Sequence, residues 1–254
     1  WRLKGHAQRE FWRWVASWGA LVRNPDDLGY DGTAHRLPEL VSHQHTISVD
    51  VRNIFATGQL FPDDSASLME RKDARKASLS ERVEACARLV NTSDDSWVVW
   101  CDLNAESDAL VEAIDGAVEV RGSDSIEEKE ARLMAFANGK TRVLVTKPSI
   151  AGFGLNWQHC ARMAFVGLTD SWEAYYQAVR RCWRFGQKRA VEVHVFASEL
   201  EGAVVRNVER KAKDAEAMSE ALSKETAGVV RAELRGAVRL SSNADHKMKM
   251  KLPP

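Results

Sequence analysis

Between residues 97 and 198 the chain alternates short apolar runs with amphipathic helical segments, and this alternation constrains the fold more than any other feature. Trp97-Val98-Val99-Trp100-Cys101 is apolar without interruption, as expected of a strand covered on both faces. Residues 117–120, 143–145, 163–166 and 191–196 provide four more segments that read as strands, rich in Val. The spacing predicts helices over 105–114, from a Ser125/Glu128 capping box to Phe136, and from an Asp170/Glu173 cap to about Phe185. Strands alternating with helices in this way form a parallel sheet with helices on both faces, an α/β fold.

The flanks read differently. Phe11, Trp12, Trp14, Val15, Trp18 and Val22 recur every three or four residues, one apolar helix face. Asn24-Pro25-Asp26-Asp27 and Asp31-Gly32 then break the pattern. Residues 46–51 alternate polar and apolar as a short strand does, and 65–90 are charged and helical. A helical extension occupies 199–240, with Val204, Val208, Ala215, Met218 and Leu222 as its seam. Residues 241–254 are polar, basic and aperiodic, a tail expected to be disordered.

Composition excludes several classes. Of 254 residues, 44% are hydrophobic, and 36 Lys+Arg balance 36 Asp+Glu, which is not the profile of a disordered chain. No run approaches the roughly 18–20 apolar residues of a membrane helix, so no membrane partner is expected. Cys86, Cys101, Cys160 and Cys182 are dispersed without a CxxC pair, so no disulfide and a reducing, cytoplasmic compartment are expected. Asn91-Thr92-Ser93 matches a glycosylation acceptor, a chance match without a secretory signal. The chain starts at Trp1 with neither Met nor signal pattern, which suggests a piece of a longer protein.

Two segments could carry chemistry. In Gln177-Ala-Val-Arg180-Arg181-Cys-Trp-Arg184-Phe-Gly186-Gln187, a helix would place Gln177, Arg181 and Arg184 at i, i+4 and i+7, with Gly186 ending it. Tyr175, Tyr176, Val179, Cys182, Trp183 and Phe185 suggest that this helix is mostly buried. A narrow arginine stripe there suits a polyphosphate, whose oxygens planar guanidinium groups can fork; a merely solvated basic face is the bland alternative. The second segment, Val145-Thr146-Lys147-Pro148-Ser149-Ile150-Ala151-Gly152-Phe153-Gly154-Leu155-Asn156, leaves the C-terminal end of a strand, where parallel sheets bind ligands. Its glycines allow close backbone approach, but Trp157 stands where a dinucleotide fingerprint needs Gly.

Other features carry less. Gly139-Lys140-Thr141 resembles the end of a P-loop, yet Met134 occupies the position of the required first Gly, and the tripeptide precedes a strand. His43 and His45 share one strand face, but no nearby Cys or carboxylate pair completes a metal shell, so they read as structural.

In order, these segments resemble the C-terminal RecA-like lobe of a superfamily-two helicase or translocase, DEAD/DEAH-type in the broad sense and closest in style to the Swi/Snf-like branch of bacteria and phages. Residues 97–110 resemble motif IV, with Asp102, Asn104 and Ser107 at the strand end. Residues 122–139 resemble the adjoining Gly, Lys-Glu helix, Phe, Gly pattern. Residues 146–156 resemble motif V and 177–187 motif VI, whose Gln-Ala-x-x-Arg-x-x-Arg-x-Gly-Gln is specific.

The resemblance implies roles. Arg181 and Arg184 would be arginine fingers acting on the γ-phosphoryl group of ATP, with Gln177 organising the same interface. Gly152, Gly154 and Asn156 would lie at the nucleotide, and Asn104, Thr146 and Lys147 on the phosphate backbone of DNA, duplex DNA in this branch. Mg2+ would be held mainly by an N-terminal RecA-like lobe, whose P-loop and acidic motif this sequence lacks. Residues 1–64 would then be the end of that first lobe or the connection out of it, and 65–198 the helicase C-terminal lobe.

Two departures from the family pattern stand out. Arg180 occupies a position often acidic, and Ser149-Ile150-Ala151 replaces the commoner Ala-Gly-Gly. The function implied is the C-terminal half of an ATP-dependent DNA motor, inactive as an isolated chain. A non-catalytic nucleic-acid-binding or scaffold domain that kept the lobe fold is the alternative.

Overall fold

The structure is a computed structural model that describes residues 7–48, 75–151 and 154–234. Its centre is a six-stranded sheet in the order β1-β6-β5-β2-β4-β3. The strands are β1 (Leu40–Ile47), β2 (Trp97–Trp100), β3 (Ala117–Val120), β4 (Val143–Thr146), β5 (Arg162–Phe165) and β6 (Val191–Ser198). Every pairing is parallel. The α/β reading of the sequence therefore holds: a RecA-like parallel sheet flanked by helices.

The helices are α1 (Gln8–Ala16), α2 (Leu79–Asn91), α3 (Asn104–Ala113), α4 (Ile126–Ala137), the single turn α5 (Pro148–Ala151), α6 (Trp172–Val179) and α7 (Gly202–Leu234). α4 starts where the sequence places it. Ser125 Oγ accepts from the Glu128 N–H at 3.2 Å, and Glu128 Oε2 accepts from the Ser125 N–H at 3.0 Å. The cap of α6 falls one residue later than expected, since Ser171 and not Asp170 accepts from the Ala174 N–H.

β2 and β4 are buried along their whole length, which explains their unbroken apolar runs. Alternate side chains feed two cores, one on each face. Val98, Trp100, Leu144, Met163 and Phe165 join one, where Trp157 packs edge-on against Phe136 with centroids 5.3 Å apart. Trp97, Val99, Val143, Val145 and Ala164 join the other, with Val83, Val90 and Leu110 from α2 and α3. Each large apolar side chain buried this way contributes about 1.5–3 kcal/mol.

The first strand differs from expectation. β1 spans Leu40–Ile47, not 46–51, and pairs along its length with β6; residues 49–51 lie outside the described residues. The sheet therefore begins well before residue 65, where the sequence placed the start of the lobe. Contacts divide the chain into two compact units, Leu37–Ala212 and a smaller one of Trp1–Arg36 with Lys213–Pro254. In the smaller unit α1 stops at Ala16, where the Ser17 hydroxyl donates to the Trp14 carbonyl at 2.6 Å. Trp14 and Trp18 are exposed and stack edge-on at 5.5 Å instead of forming a buried face. Met218, assigned to the seam of the C-terminal helix, is exposed too, whereas Val204 and Val208 are buried. The tail at 241–254 lies outside the described residues.

A buried ionic cluster ties the C-terminal ends of three strands together. Arg82 and Glu106 are fully buried and bond at 2.9 Å. Arg82 also donates to the Val166 carbonyl beyond β5, to the Arg75 carbonyl at 2.7 Å and to Ser78 Oγ at 3.0 Å. Arg75 reaches Asp102 beyond β2 at 2.8 Å and Glu201 beyond β6 at 3.2 Å. The second oxygen of Glu106 accepts from the Asp102 and Leu103 N–H groups at 2.9 and 3.0 Å. Burial alone would raise the Glu106 carboxyl, but Arg82, the Leu103 N–H, Arg75 and the Asp102 N–H together hold it below the ordinary carboxylate range.

Glu106→Gln strands the Arg82 charge, so urea unfolding is expected to show a loss of about 3–5 kcal/mol at neutral pH. A carboxyl depressed in the folded state stabilises fully at neutral pH, and that contribution fades as pH falls from the ordinary carboxylate range through the folded value. The gap between wild type and variant should close there. A gap constant into strong acid would contradict this.

Candidate functional site

Motif-VI-like residues do not extend one helix. α6 ends at Val179, and Arg181, Cys182 and Gln187 close successive tight turns through N–H bonds to Ala178, Val179 and Arg184 carbonyls. Tertiary bonds explain the early stop: the Trp157 N–H takes the Arg181 carbonyl at 2.9 Å, and the Trp183 indole N–H donates to the Pro38 carbonyl at 2.8 Å. Gln177 remains on the helix, while Arg181 and Arg184 sit beyond it. Gly186 serves those turns, not a helix end, with φ of 92°. Phe185, expected to be buried, is exposed.

The turns still bring the two arginines together. Arg181 Nη1 and Arg184 Nη1 donate to the same Leu155 carbonyl, at 3.0 and 3.1 Å. Arg181 is 7% exposed, and its Nε donates to the Gln177 carbonyl at 3.2 Å. Burial first, and the neighbouring Arg184 cation second, lower the Arg181 pKa. Two cations aimed at one oxygen form an electropositive point that an anion would relieve.

The glycine segment meets these arginines through its backbone. Gly154 has φ of 80° and open space where a side chain would project, so it supplies the left-handed turn and no close packing. Asn156 is exposed, its Oδ1 accepting from the Gln158 N–H at 3.4 Å. Gly152 lies outside the described residues. Arg180 stands over Tyr176 and Trp183, with its guanidinium carbon 5.9 and 5.3 Å from the ring centroids, so its charge is held by aromatic faces.

The three expected nucleic-acid contacts separate. Thr146 is fully buried, and its hydroxyl donates to the Val120 carbonyl at 3.0 Å, which removes that side chain from any surface. It completes β4 instead. Lys147 and Asn104 are brought together at the C-terminal ends of β4 and β2, with Nζ donating to Oδ1 at 2.7 Å. Asp102 is engaged by Arg75, and Ser107 is buried against Glu119.

One residue had no role assigned from sequence. Gln187 is buried; its amide donates to the Cys160 and Cys182 carbonyls at 3.0 and 3.3 Å and accepts from the Lys188 and Arg189 N–H groups at 2.9 and 3.0 Å. It stitches the arginine turns to the start of β5. Its place at the end of the motif was the only signal in the sequence.

Comparisons agree with this layout. A family model, the helicase conserved C-terminal domain, matches residues 81–186. A solved structure, the C-terminal part of the Fun30 ATPase domain, has a TM-score of 0.55 at 12% identity, over 68% of this chain and 90% of that one. The C-terminal domain of the DEAD-box protein Dbp5 gives 0.49 at 11% identity, over 70% and 86%. No curated protein matches the sequence. The match to the helicase model thus covers the segment from α2 to the arginine turns, and the fold is that of the Fun30 structure.

Gln187→Leu removes four buried hydrogen bonds while keeping bulk. It should cost about 1–3 kcal/mol or more in denaturant unfolding, because the freed carbonyls stay buried. A neutral result would mean that Gln187 does not hold the turns.

Proposed function

We propose that this chain is the C-terminal half of an ATP-dependent DNA helicase or translocase, supplying arginine fingers to ATP seated on an N-terminal RecA-like lobe. The observation that supports this most is the convergence of Arg181 and Arg184 on one carbonyl oxygen. That focus of positive charge fits a polyphosphate oxygen, and preorganised cations lower the barrier to phosphoryl transfer by stabilising charge that grows in the transition state. The site fits a nucleotide only in part: Arg181 and Arg184 would act as the fingers, whereas cradling the phosphates and holding Mg2+ would fall to the first lobe. Gln177 lends its carbonyl to orient Arg181, and Gly154 and Asn156 lie on the adjoining loop.

DNA, duplex in this reading, would lie across the Asn104–Lys147 pair, which presents a cation and an amide to phosphate. Four free, buried thiols suit a cytoplasmic setting. The Swi/Snf-like, bacterial or phage affinity is part of the same reading. The alternative is a scaffold domain, favoured by one observation: both arginines are already satisfied by the lobe's own backbone.

ATPase assays on a polypeptide carrying both lobes distinguish the two. In a motor, Arg181→Ala or Arg184→Ala should cut turnover by at least roughly a thousandfold with little change in DNA affinity. A scaffold would show no ATPase to lose. Lys147→Ala should weaken DNA binding on every sequence and reduce the salt slope by about one. The isolated chain should hydrolyse ATP negligibly, and DNA-stimulated hydrolysis by it alone would refute the reading.

A further inference from the structure

Away from the arginines, at the sheet edge, the register of β1 on β6 gathers three ligand-type side chains that lie far apart in sequence. His43 pairs with His194, and Glu192 precedes His194 by two residues on the same face. One ligand atom from each of His43, Glu192 and His194 lies within 4.8 Å of the others. His194 is 6% exposed, and its Nε2 is buried without a hydrogen-bond partner among the described residues, 3.5 Å from Glu192 Oε2. Its other ring nitrogen, Nδ1, lies 3.0 Å from His45 Nε2.

A buried imidazole with one nitrogen held by a neighbour, and the other turned toward a carboxylate at 3.5 Å, has the preparation of a metal ligand. The outer partner fixes the tautomer and the ring orientation. At 3.5 Å that contact is long for a hydrogen bond, and an ion between the two groups would replace it with two short bonds.

We propose that His43, Glu192 and His194 bind one divalent cation of the zinc class, with His45 positioning His194 and a fourth position left to water. Two imidazoles and one carboxylate match zinc and its borderline neighbours, whereas magnesium and calcium take oxygen ligands. Ligand atoms around tetrahedral zinc stand about 3.3 Å apart, so binding requires the half-buried His43, whose ring stacks on His194 with centroids 4.5 Å apart, to turn out of that stack and Glu192 to close in. Arg162 is the cation closest to competing: its Nη1 is 3.8 Å from Glu192, but its shorter bond, at 2.8 Å, goes to Asp95. With ligands from both strands, the ion clips the edge strand β1 to β6. The sequence supplied two of the histidines; only the strand register supplied the rest.

The test uses the whole chain stripped with chelator, then titrated with Zn2+ by calorimetry and with Co2+ by visible absorption. One equivalent should bind, Co2+ should give an intense tetrahedral spectrum, and Zn2+ should raise the melting temperature. His194→Ala can unfold the sheet, so the informative variants are His43→Ala and Glu192→Gln, with circular dichroism confirming their fold. Each should weaken Zn2+ at least about tenfold and abolish the melting shift. Absence of saturable binding, or wild-type affinity in either folded variant, overturns the site.

Discussion

The fully buried pair of Arg82 and Glu106 is the constraint around which the lobe is arranged. A charge taken out of water is tolerated only with near-complete hydrogen bonding, so the chain around it has little freedom. Val166, Asp102 and Leu103 must all present backbone groups to the pair; Val166 directly follows β5, and Asp102 and Leu103 follow Cys101 at the end of β2. Arg75 and Glu201 extend the same requirement to the end of β6. The C-terminal edge of the sheet, where Asn104 stands, is thus set by ionic bonds as well as by the apolar packing of Cys101 and Val166.

Most of the fold was legible because the strands at the centre of the sheet are buried on both faces. Continuous apolar runs of β2 and β4 and the Ser125 box are local signals, and the structure follows them. What was not legible depends on partners distant in sequence. β1 alternates only between exposed and half-buried residues, so its extent is set by pairing with β6. The arginine segment has helical spacing, yet the Arg181 carbonyl and the Trp183 indole bond to Trp157 and Pro38, and those bonds end the helix. No periodicity argument contains them.

The candidate site was legible in composition more than in geometry. Arg181, Arg184 and Gln177 do cluster with the loop that carries Gly154 and Asn156, although through turns. Thr146 was misplaced because a residue ending an apolar strand can point either way, and here the Val120 carbonyl claims its hydroxyl. Gln187 and the Arg75–Arg82–Glu106–Glu201 cluster went unassigned because a buried polar residue looks like a surface one until its neighbours are known.

The bonds that assemble the arginine turns have one property in common. Leu155 contributes its carbonyl, Arg181 its carbonyl, Trp157 its amide, and Cys160 and Cys182 their carbonyls. At Leu155 no side chain is spent on the linkage, so that position can drift chemically while the scaffold keeps its shape. Positions that lend only a peptide group to these turns can diverge in sequence while the turns persist, in keeping with a fold shared with the Fun30 structure at 12% identity.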